Sequence, residues 1–190
     1  NDRPIGSGSF GAVYRAFTDR NQFVAVKVVK LSANASPQQL QRAIRNEEKG
    51  VQLLTRLNHR NILKFLKTDR DHQGNFCIFT ELLSGIAWPA FWRSTGCSLR
   101  TASPTSPDSA LDYIHTRSPP VLHRDLKCSN VMLTNEGVIK LIDFGLAKEI
   151  AASMAANATE VVGTPCFISP EILDGGNFTD KSDIWSLGCT

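Results

Sequence analysis

The sequence predicts an α+β fold, and three observations support this. Strand-like segments crowd the first third of the chain, one long helix interrupts them, and ordered elements return from Leu111 to the end. The chain has 190 residues, of which 42% are hydrophobic and 21% are charged. A chain of this size and composition can build one domain with its own core.

The clearest strand covers residues 23–29, a run of β-branched and other apolar residues interrupted by one lysine. Ser36 and Pro37 then predict the start of a long polar helix. Apolar residues recur at near-helical spacing as far as Leu57, so the helix is expected to continue to about that point.

Two further strands are predicted at residues 62–66 and 76–80, with residues 71–75 as the turn between them. Between about residues 86 and 109 the patterns of both strand and helix fail. The three prolines of this segment forbid one continuous helix.

Charge and cysteine content argue against several classes of function. The formal net charge of +3 is small and dispersed, so neither nucleic acid nor a membrane surface is an expected partner. No apolar run approaches the roughly 20 residues of a membrane span, and no signal peptide opens the chain. The five cysteines have no paired or metal-like spacing, which predicts reduced thiols in a cytoplasmic, intracellular protein. The sequence indicates no oligomeric state.

A glycine-rich motif of the form G-x-G-x-x-G-x-V predicts a phosphate-binding loop. It comprises Ile5, Gly6, Ser7, Gly8, Ser9, Phe10, Gly11, Ala12 and Val13. Glycines let a hairpin backbone approach phosphates closely, because no Cβ intervenes. Lys27 follows about one strand later, where its ammonium could reach the α- and β-phosphates of a nucleotide. A dinucleotide-binding motif would instead be followed by a helix.

Two motifs in the second half of the chain match phosphoryl-transfer chemistry. Residues 123–130 read H-R-D-L-K-C-S-N, and a D-F-G triplet at residues 143–145 begins thirteen residues after Asn130. With the glycine-rich loop and Lys27, these motifs resemble those of the eukaryotic protein kinases. The resemblance implies a two-lobed kinase fold, with a small β-rich N-lobe and a mostly helical C-lobe.

The resemblance also divides the chain. Residues 1–80 would form the N-lobe, 81–85 the hinge, 86–109 an aberrant or disordered segment, and 110–190 an incomplete C-lobe. Two origins of the aberrant segment remain open: a stretch read out of frame and later restored, or a divergent insertion. The chain stops inside the helix that supports the catalytic loop in this family, so a fragment is expected.

Catalytic roles follow from the resemblance. Asp125 would orient and deprotonate the substrate hydroxyl, and Lys127 would offset charge on the γ-phosphate. Lys27 would hold the other phosphates. Asn130 and Asp143 would supply hard oxygen ligands suited to Mg²⁺.

The nucleotide pocket is assigned in the same way. Ala25 and the glycine-rich loop would surround ATP, and the hinge backbone from Glu81 to Leu83 would pair with the adenine. Thr80 aligns with the residue that guards the space behind the adenine. ATP and Mg²⁺ are therefore the expected cofactors, and serine or threonine hydroxyls of proteins the expected acceptors.

The subtype is predicted from shorter stretches. Lys127, two residues after the catalytic aspartate, is typical of serine/threonine kinases. Residues 167–171 and 181–189 look most like the NIMA-related kinases. Residues 116–120 also echo the WNK and MAP3K-like kinases. WNK kinases place the lysine in the glycine-rich loop, whereas Lys27 lies in the usual strand.

The catalytic loop is expected to have two further contacts. The resemblance implies that a buried Asp183 hydrogen-bonds the backbone near His123 and Arg124. In the family, the guanidinium of Arg124 usually receives a phosphate from the activation segment. Here the usual position is Glu160, with Thr159 beside it. Either Glu160 supplies a permanent charge, or Thr159 is phosphorylated one residue away.

One departure concerns the partner of Lys27. Counting back from residues 58–62, the family places a helix glutamate at position 50, where this chain has Gly50. Glycine inside a helix costs about 1 kcal/mol relative to alanine. Glu47 lies three residues earlier, on nearly the same helix face. Either Glu47 substitutes, with the helix shifted by most of a turn, or Lys27 has no orienting partner.

Three functions are therefore weighed. The leading prediction is an active serine/threonine kinase. The second is a nucleotide-binding pseudokinase, which Gly50 favours and the intact Lys27, Asp125, Asn130 and Asp143 oppose. The third is an inactive fragment that does not fold stably.

Overall fold

A five-stranded antiparallel sheet dominates the first third of the chain. The computed structural model describes residues 3–8, 11–30, 36–87, 107–150 and 162–190. The strands are β1 (Gly6–Gly8), β2 (Gly11–Phe17), β3 (Phe23–Val29), β4 (Phe65–Arg70) and β5 (Phe76–Glu81). Their order is β1-β2-β3-β5-β4, so β3 lies at the centre. Lys27 pairs with Val13 on one side and Ile78 on the other, which places it in mid-sheet.

Helix α1 (Pro37–Leu54) packs against this sheet. Ser36 caps it: its hydroxyl accepts a hydrogen bond from the backbone N–H of Gln39 at 3.2 Å, and the Gln39 side chain accepts one from the Ser36 N–H at 2.7 Å. This reciprocal pair satisfies backbone donors that the first helical turn leaves without partners. Ala43 of α1 and Val29 of β3 belong to one buried cluster, which joins helix and sheet.

Shorter elements make up the rest of the described chain. They are β6 (Gly85–Ala87), α2 (Asp108–His115), β7 (Val121–Leu122), β8 (Val131–Thr134), β9 (Ile139–Leu141), β10 (Lys148–Glu149), α3 (Pro170–Leu173) and α4 (Asp180–Gly188). Strands β6, β8 and β9 form a three-stranded sheet, and β7 pairs with β10. None of the helices in the described ranges has the length and apolarity needed to cross a membrane.

The largest hydrophobic cluster links α1 to the second half of the chain. Leu53 and Leu54 at the end of α1 cluster with Leu111 and Ile114 of α2 and with Phe144. Burial of such side chains is the main favourable term in folding. Because one core contains both halves, α1 is fixed against the second half of the chain as well as against the sheet.

The predicted α+β class is confirmed, but two predicted boundaries are wrong. The strand expected at residues 62–66 runs instead over Phe65–Arg70, because the buried Ile62 forms a lone bridge to β9 outside the main sheet. Helix α1 stops at Leu54 instead of Leu57, because the N–H groups of Arg56 and Leu57 reach back only three residues, to Leu53 and Leu54.

The segment expected to be aberrant, residues 86–109, has ordered ends. Ile86 and Ala87 pair with β8 in a regular antiparallel register. At the other end, Asp108 begins α2, two residues before the predicted boundary. Residues 88–106 lie outside the described part of the chain.

Candidate active site

A cleft of about 200 Å³ lies between the five-stranded sheet, α1 and the second half of the chain. Its walls include Ile5, Val13, Ala25, Lys27, Thr80, Glu81, Leu83, Asn130, Met132 and Asp143. The structure thus brings part of the expected nucleotide-binding set and both expected metal ligands to one cavity, while Gly6, Ser7, Gly8, Gly11 and Ala12 are not among its lining residues. Ser9 and Phe10 of the glycine-rich loop lie outside the described residues.

The glycine-rich motif forms the expected hairpin over this cleft. Gly6 stands opposite Val13, and Ser7 stands opposite Ala12. Gly11 has a φ of 146°, and a Cβ at this position would overlap the carbonyl oxygen of Val28 on β3. Gly11 is therefore required by packing against β3, a reason independent of phosphate binding.

Lys27 lies between two carboxylates. Its Nζ is 2.6 Å from Oε1 of Glu47 and 3.1 Å from Oδ1 of Asp143. The Glu47 side chain is only 8% exposed, and that of Lys27 is 21% exposed. Partial exclusion of water strengthens these ion pairs, which fix the ammonium beside Asp143 in the cleft.

Burial and neighbouring charges both shift the pKa values of these three groups. Burial disfavours the ammonium of Lys27, but Asp143 and Glu47 outweigh it and hold the pKa of Lys27 above its ordinary value. Burial raises the pKa of Glu47, and the nearby charge of Asp143 adds to the rise although Lys27 opposes it. Burial is the largest single influence on Asp143 and favours its neutral form, but the charge of Lys27 and the hydrogen bonds from Lys27 and Gly145 together lower the pKa of Asp143. Asp143 is thus the carboxylate more strongly held in its ionised form.

Glu47 is the partner of Lys27, so the hypothesis that Lys27 lacks one is wrong. Gly50 is buried against the backbone of Phe144: a Cβ would overlap the Phe144 carbonyl oxygen and lie 2.8 Å from its carbonyl carbon. Of the two alternatives that the sequence left open, the pairing of Lys27 with Glu47 is the one found in the structure. Because Gly50 has no side chain, α1 contacts the backbone of Phe144 directly at this position.

Asp125 is fixed by a closed hydrogen-bond network. Its Oδ2 accepts from Nζ of Lys127 at 2.7 Å and from Nδ2 of Asn130 at 3.1 Å. Its Oδ1 accepts from the hydroxyl of Thr164 at 2.8 Å, and that hydroxyl in turn accepts from Lys127 at 2.9 Å. Thr164 was not among the predicted site residues. Its signal was present in the G-T-P sequence at residues 163–165.

Asp183 holds the backbone of the catalytic loop, as expected. Its Oδ2 accepts from the N–H of His123 at 2.8 Å, and its Oδ1 accepts from the N–H of Arg124 at 2.9 Å. The ring of His115 is a third partner at 2.9 Å. Arg124 has a φ of 62°, a conformation that costs on the order of 1 kcal/mol in a non-glycine residue. The buried carboxylate offsets that cost.

Asn130 and Asp143 suit Mg²⁺. Asn130 directs its Nδ2 to the backbone oxygen of Asp125 at 2.9 Å and to its carboxylate, so the amide oxygen is the group left for a metal. Asp143 Oδ1 also accepts from the N–H of Gly145 at 3.3 Å. Within the described ranges, no group of three or more His, Cys, Asp or Glu could hold a metal alone. Phosphate oxygens and water would have to complete the coordination, which is usual for Mg²⁺.

The expected hinge is tied to both halves of the chain. The Glu81 carboxylate accepts from the N–H of Lys64 at 2.8 Å and from Nζ of Lys140 at 2.7 Å. Lys140 lies on β9 and was not predicted, because an isolated strand lysine carries no motif. Thr80, Glu81 and Leu83 all line the cleft.

A second cavity of about 380 Å³ separates α1 from the chain that follows Gly145. Its walls carry one acidic residue, Glu149, which is ion-paired with Arg56 at 2.7 Å, and five basic residues: Arg42, Lys49, Arg56, Arg124 and Lys148. The Arg124 Nε donates to the Leu146 carbonyl at 2.8 Å, and burial lowers the pKa of its guanidinium although Asp183 opposes this. Thr159 and Glu160 lie outside the described residues. Val162, which follows them, lines the cavity.

The chain matches known proteins over its whole length. The family model for the protein kinase domain covers residues 1–190. The chain is 35% identical to Mitogen-activated protein kinase kinase kinase 1a of Physcomitrium patens over 189 residues, which are 98% of this chain and 24% of that protein. It is 33% identical to Mitogen-activated protein kinase kinase kinase 2 of Arabidopsis thaliana, covering 98% of this chain and 29% of that protein. The chain thus spans about a quarter of the length of these relatives.

These relatives do not support the expected likeness to NIMA-related kinases. They agree with the likeness to MAP3K kinases noted at residues 116–120. The misleading stretch at residues 181–189 includes Asp183, whose contacts serve the catalytic-loop backbone and so carry little information about subtype. Family match, relatives and site geometry agree on one conclusion. The chain belongs to the protein kinase domain family, as a domain of the serine/threonine type.

Proposed function

We propose that this protein transfers the γ-phosphoryl group of ATP to serine or threonine hydroxyls of other proteins. The observation that carries the proposal is the network around Asp125. Lys127, Asn130 and Thr164 hold its carboxylate within 3.1 Å of their own polar atoms. A fixed carboxylate that is hydrogen-bonded to Asn130, a residue of the cleft wall, suits in-line phosphoryl transfer, because catalysis here depends on positioning and charge.

The proposed roles in the reaction are those implied by the family resemblance, and these positions are consistent with them. Asp125 orients the acceptor hydroxyl and takes its proton, while the hydroxyl oxygen forms a bond to the γ-phosphorus. The bond from that phosphorus to the β–γ bridging oxygen breaks, and ADP carries the electron pair away. Lys127 offsets charge on the transferred group, and Lys27 holds the remaining phosphates. Mg²⁺, whose use is general in the family, would be held by Asn130 and Asp143 and would neutralise phosphate charge.

The alternative of a nucleotide-binding pseudokinase loses its main support. That alternative rested on the missing glutamate at Gly50. Glu47 now supplies the carboxylate at 2.6 Å from Lys27. The side chains expected to act on the nucleotide and on the acceptor therefore occupy mutually consistent positions.

The test is phosphoryl transfer by the full-length protein. Labelled ATP, Mg²⁺ and a generic protein acceptor should give label on serine or threonine, and Asp125→Asn should abolish it. Nucleotide binding without any transfer would reject the kinase and favour the binding module. Label on tyrosine alone would reject the serine/threonine assignment.

The names of the relatives suggest an acceptor class. We propose that the acceptor is a mitogen-activated protein kinase kinase, since the relatives are named as kinases of such proteins. Transfer to a purified member of that class should exceed transfer to a generic acceptor. We also propose an intracellular protein, because Cys77, Cys128, Cys166 and Cys189 are free thiols.

Regulation by the segment before Val162 is proposed as well. A phosphate on Thr159 would find a basic cavity that includes Arg124, and a dianion there forms charge-assisted hydrogen bonds. Phosphatase treatment should lower the activity of the wild type but not of Thr159→Ala. Activity that resists phosphatase and falls in Glu160→Ala would instead assign the role to Glu160. No effect of either would remove the segment from regulation.

A further inference from the structure

At Gly50, which has no side chain, helix α1 lies directly against the backbone of Phe144 and Gly145. We infer that Gly50 is a positioning residue: it lets α1 dock in a register in which Glu47, and not a residue one turn later, orients Lys27. The consequence for phosphoryl transfer rests on the proposed kinase function. The consequence for the Lys27–Glu47 pair rests on the geometry alone.

The contact surface at Gly50 is backbone and cannot yield. A Cβ at position 50 would overlap the carbonyl oxygen of Phe144, lie 2.8 Å from its carbonyl carbon and lie 3.1 Å from Cα of Gly145. Phe144 is 1% exposed, and its ring packs on that of His123 with centroids 4.8 Å apart. Any side chain at position 50 must therefore move α1, because the loop under it is anchored in the core.

Glu47 shares this close contact. Its Oε1 lies 2.6 Å from Nζ of Lys27 and would be 3.2 Å from a Cβ built on Gly145. Two glycines thus meet at one interface, Gly50 on the helix and Gly145 on the loop. Their combined lack of side chains brings the Glu47 carboxylate down to the level of Lys27.

Helix geometry defines a second possible position of α1, in which residue 50 and not residue 47 would face Lys27. Residues 47 and 50 differ by about 4.5 Å along the axis and face nearly the same side. A glutamate at position 50 cannot occupy the present docked position. It would need α1 to withdraw and slide by about that rise, after which its own carboxylate could reach Lys27.

Helix propensity offers no competing explanation for Gly50. Glycine is less favourable than alanine inside a helix, so substitution by alanine improves the intrinsic stability of α1. A loss of function on that substitution must come from the docking surface. This makes Gly50→Ala an informative change.

The experiment measures kcat and the dissociation constant for Mg-ATP in the full-length protein. The variants are Gly50→Ala, Glu47→Gln and the double variant. The matched controls are Glu48→Ala and Glu48→Gln, which introduce the same side chains at an exposed neighbour on α1. Each single variant should lose about tenfold or more in at least one constant, since a charged hydrogen bond is worth more than 1.4 kcal/mol. The controls should remain within about twofold of the wild type.

The double variant separates positioning from general damage. If Gly50→Ala already breaks the Lys27–Glu47 pair, adding Glu47→Gln should cause no further loss in either constant. Losses that multiply would show that Gly50 acts independently of Glu47 and would overturn the inference. A Gly50→Ala variant that matches the wild type would also overturn it.

A rescue variant tests the second register. Combining Glu47→Gln with Gly50→Glu should regain part of what Glu47→Gln alone loses, because the carboxylate returns one turn later. Failure to exceed Glu47→Gln would reject the second register. The Mg-ATP affinities decide these outcomes even if no variant transfers phosphate, so failure of the kinase proposal is recognised separately.

Discussion

The two sides of the cleft are built in different ways. On one side, Asp125, Lys127 and Asn130 lie within six residues of each other and contact one another directly. On the other side, Lys27 and Asp143 are separated by 116 residues in sequence, and Glu47 comes from a third element. A local network can be identified from its motif. A distributed one depends on where whole elements dock.

The supports of the two sides differ in the same way. The catalytic loop is supported by a single buried carboxylate, Asp183, which accepts two of its backbone N–H groups. The Lys27–Glu47 pair is supported by close packing of α1 on the backbone at Phe144. The first support is polar and specific. The second is steric, and a side chain at Gly50 removes it.

The largest expected effect comes from replacing Asp125, which lies at the centre of the network with Lys127 and Asn130. Asp125→Asn should lower kcat by about 100- to 10,000-fold, because a positioned base contributes that much. The affinity for Mg-ATP should change little, since the role belongs to the transition state. Steady-state kinetics and nucleotide titration measure the two constants. A variant that keeps a tenth of wild-type kcat would contradict the role of Asp125.

Replacing Asp183, which holds the backbone at His123 and Arg124, should lower the stability of the fold as well as the activity. Asp183→Asn replaces one accepting oxygen with a donor and leaves a buried N–H without its partner. The free energy of unfolding should fall by about 3 kcal/mol. Urea denaturation measures this. Asp180→Asn, a half-exposed residue of the same helix, is the matched control and should change the value by less than about 0.5 kcal/mol. Equal effects at both positions would dismiss Asp183 as the support.

Metal dependence tests the distributed side. Asp143→Ala removes a carboxylate ligand and one neighbour of Lys27, so the affinity for Mg-ATP should fall by about 10- to 100-fold. Chelation of the metal should lower the nucleotide affinity of the wild type to about that of the variant. Nucleotide titration with and without Mg²⁺ measures this, with Asp19→Ala at an exposed turn as control. Equal wild-type affinity under both conditions would count against the metal site.

The smallest expected effect concerns the residue that closes the local network. Thr164→Val deletes the hydroxyl that joins Lys127 and Asp125 while keeping the side-chain shape. A decrease in kcat of about tenfold or more is expected, because the change removes two hydrogen bonds to charged groups, those with Lys127 and Asp125. Thr164→Ser keeps the hydroxyl and should stay near the wild type. Similar kinetics for the two variants would show that the hydroxyl does not position Asp125.

The outcome of the sequence predictions follows the same division. The strand carrying Lys27, the cap at Ser36 and the contacts of Asp183 were all predictable, since each depends on neighbouring residues or on a complete motif. Thr164 had a motif but no assigned role. Lys140 had no signal, because only the folded chain brings it to Glu81.

By itself, the sequence determined which residues are proposed to carry the chemistry: the glycine-rich loop, the proposed base, the two proposed metal ligands and the lysine all lie in contiguous motifs. Only the tertiary structure decided which glutamate serves Lys27. That choice depends on the distance between α1 and the loop at Phe144, and this distance is set by packing between residues that are far apart in sequence. Periodicity gives the face of a helix, but its depth and register against another element are fixed by steric contact, which no count along the chain contains.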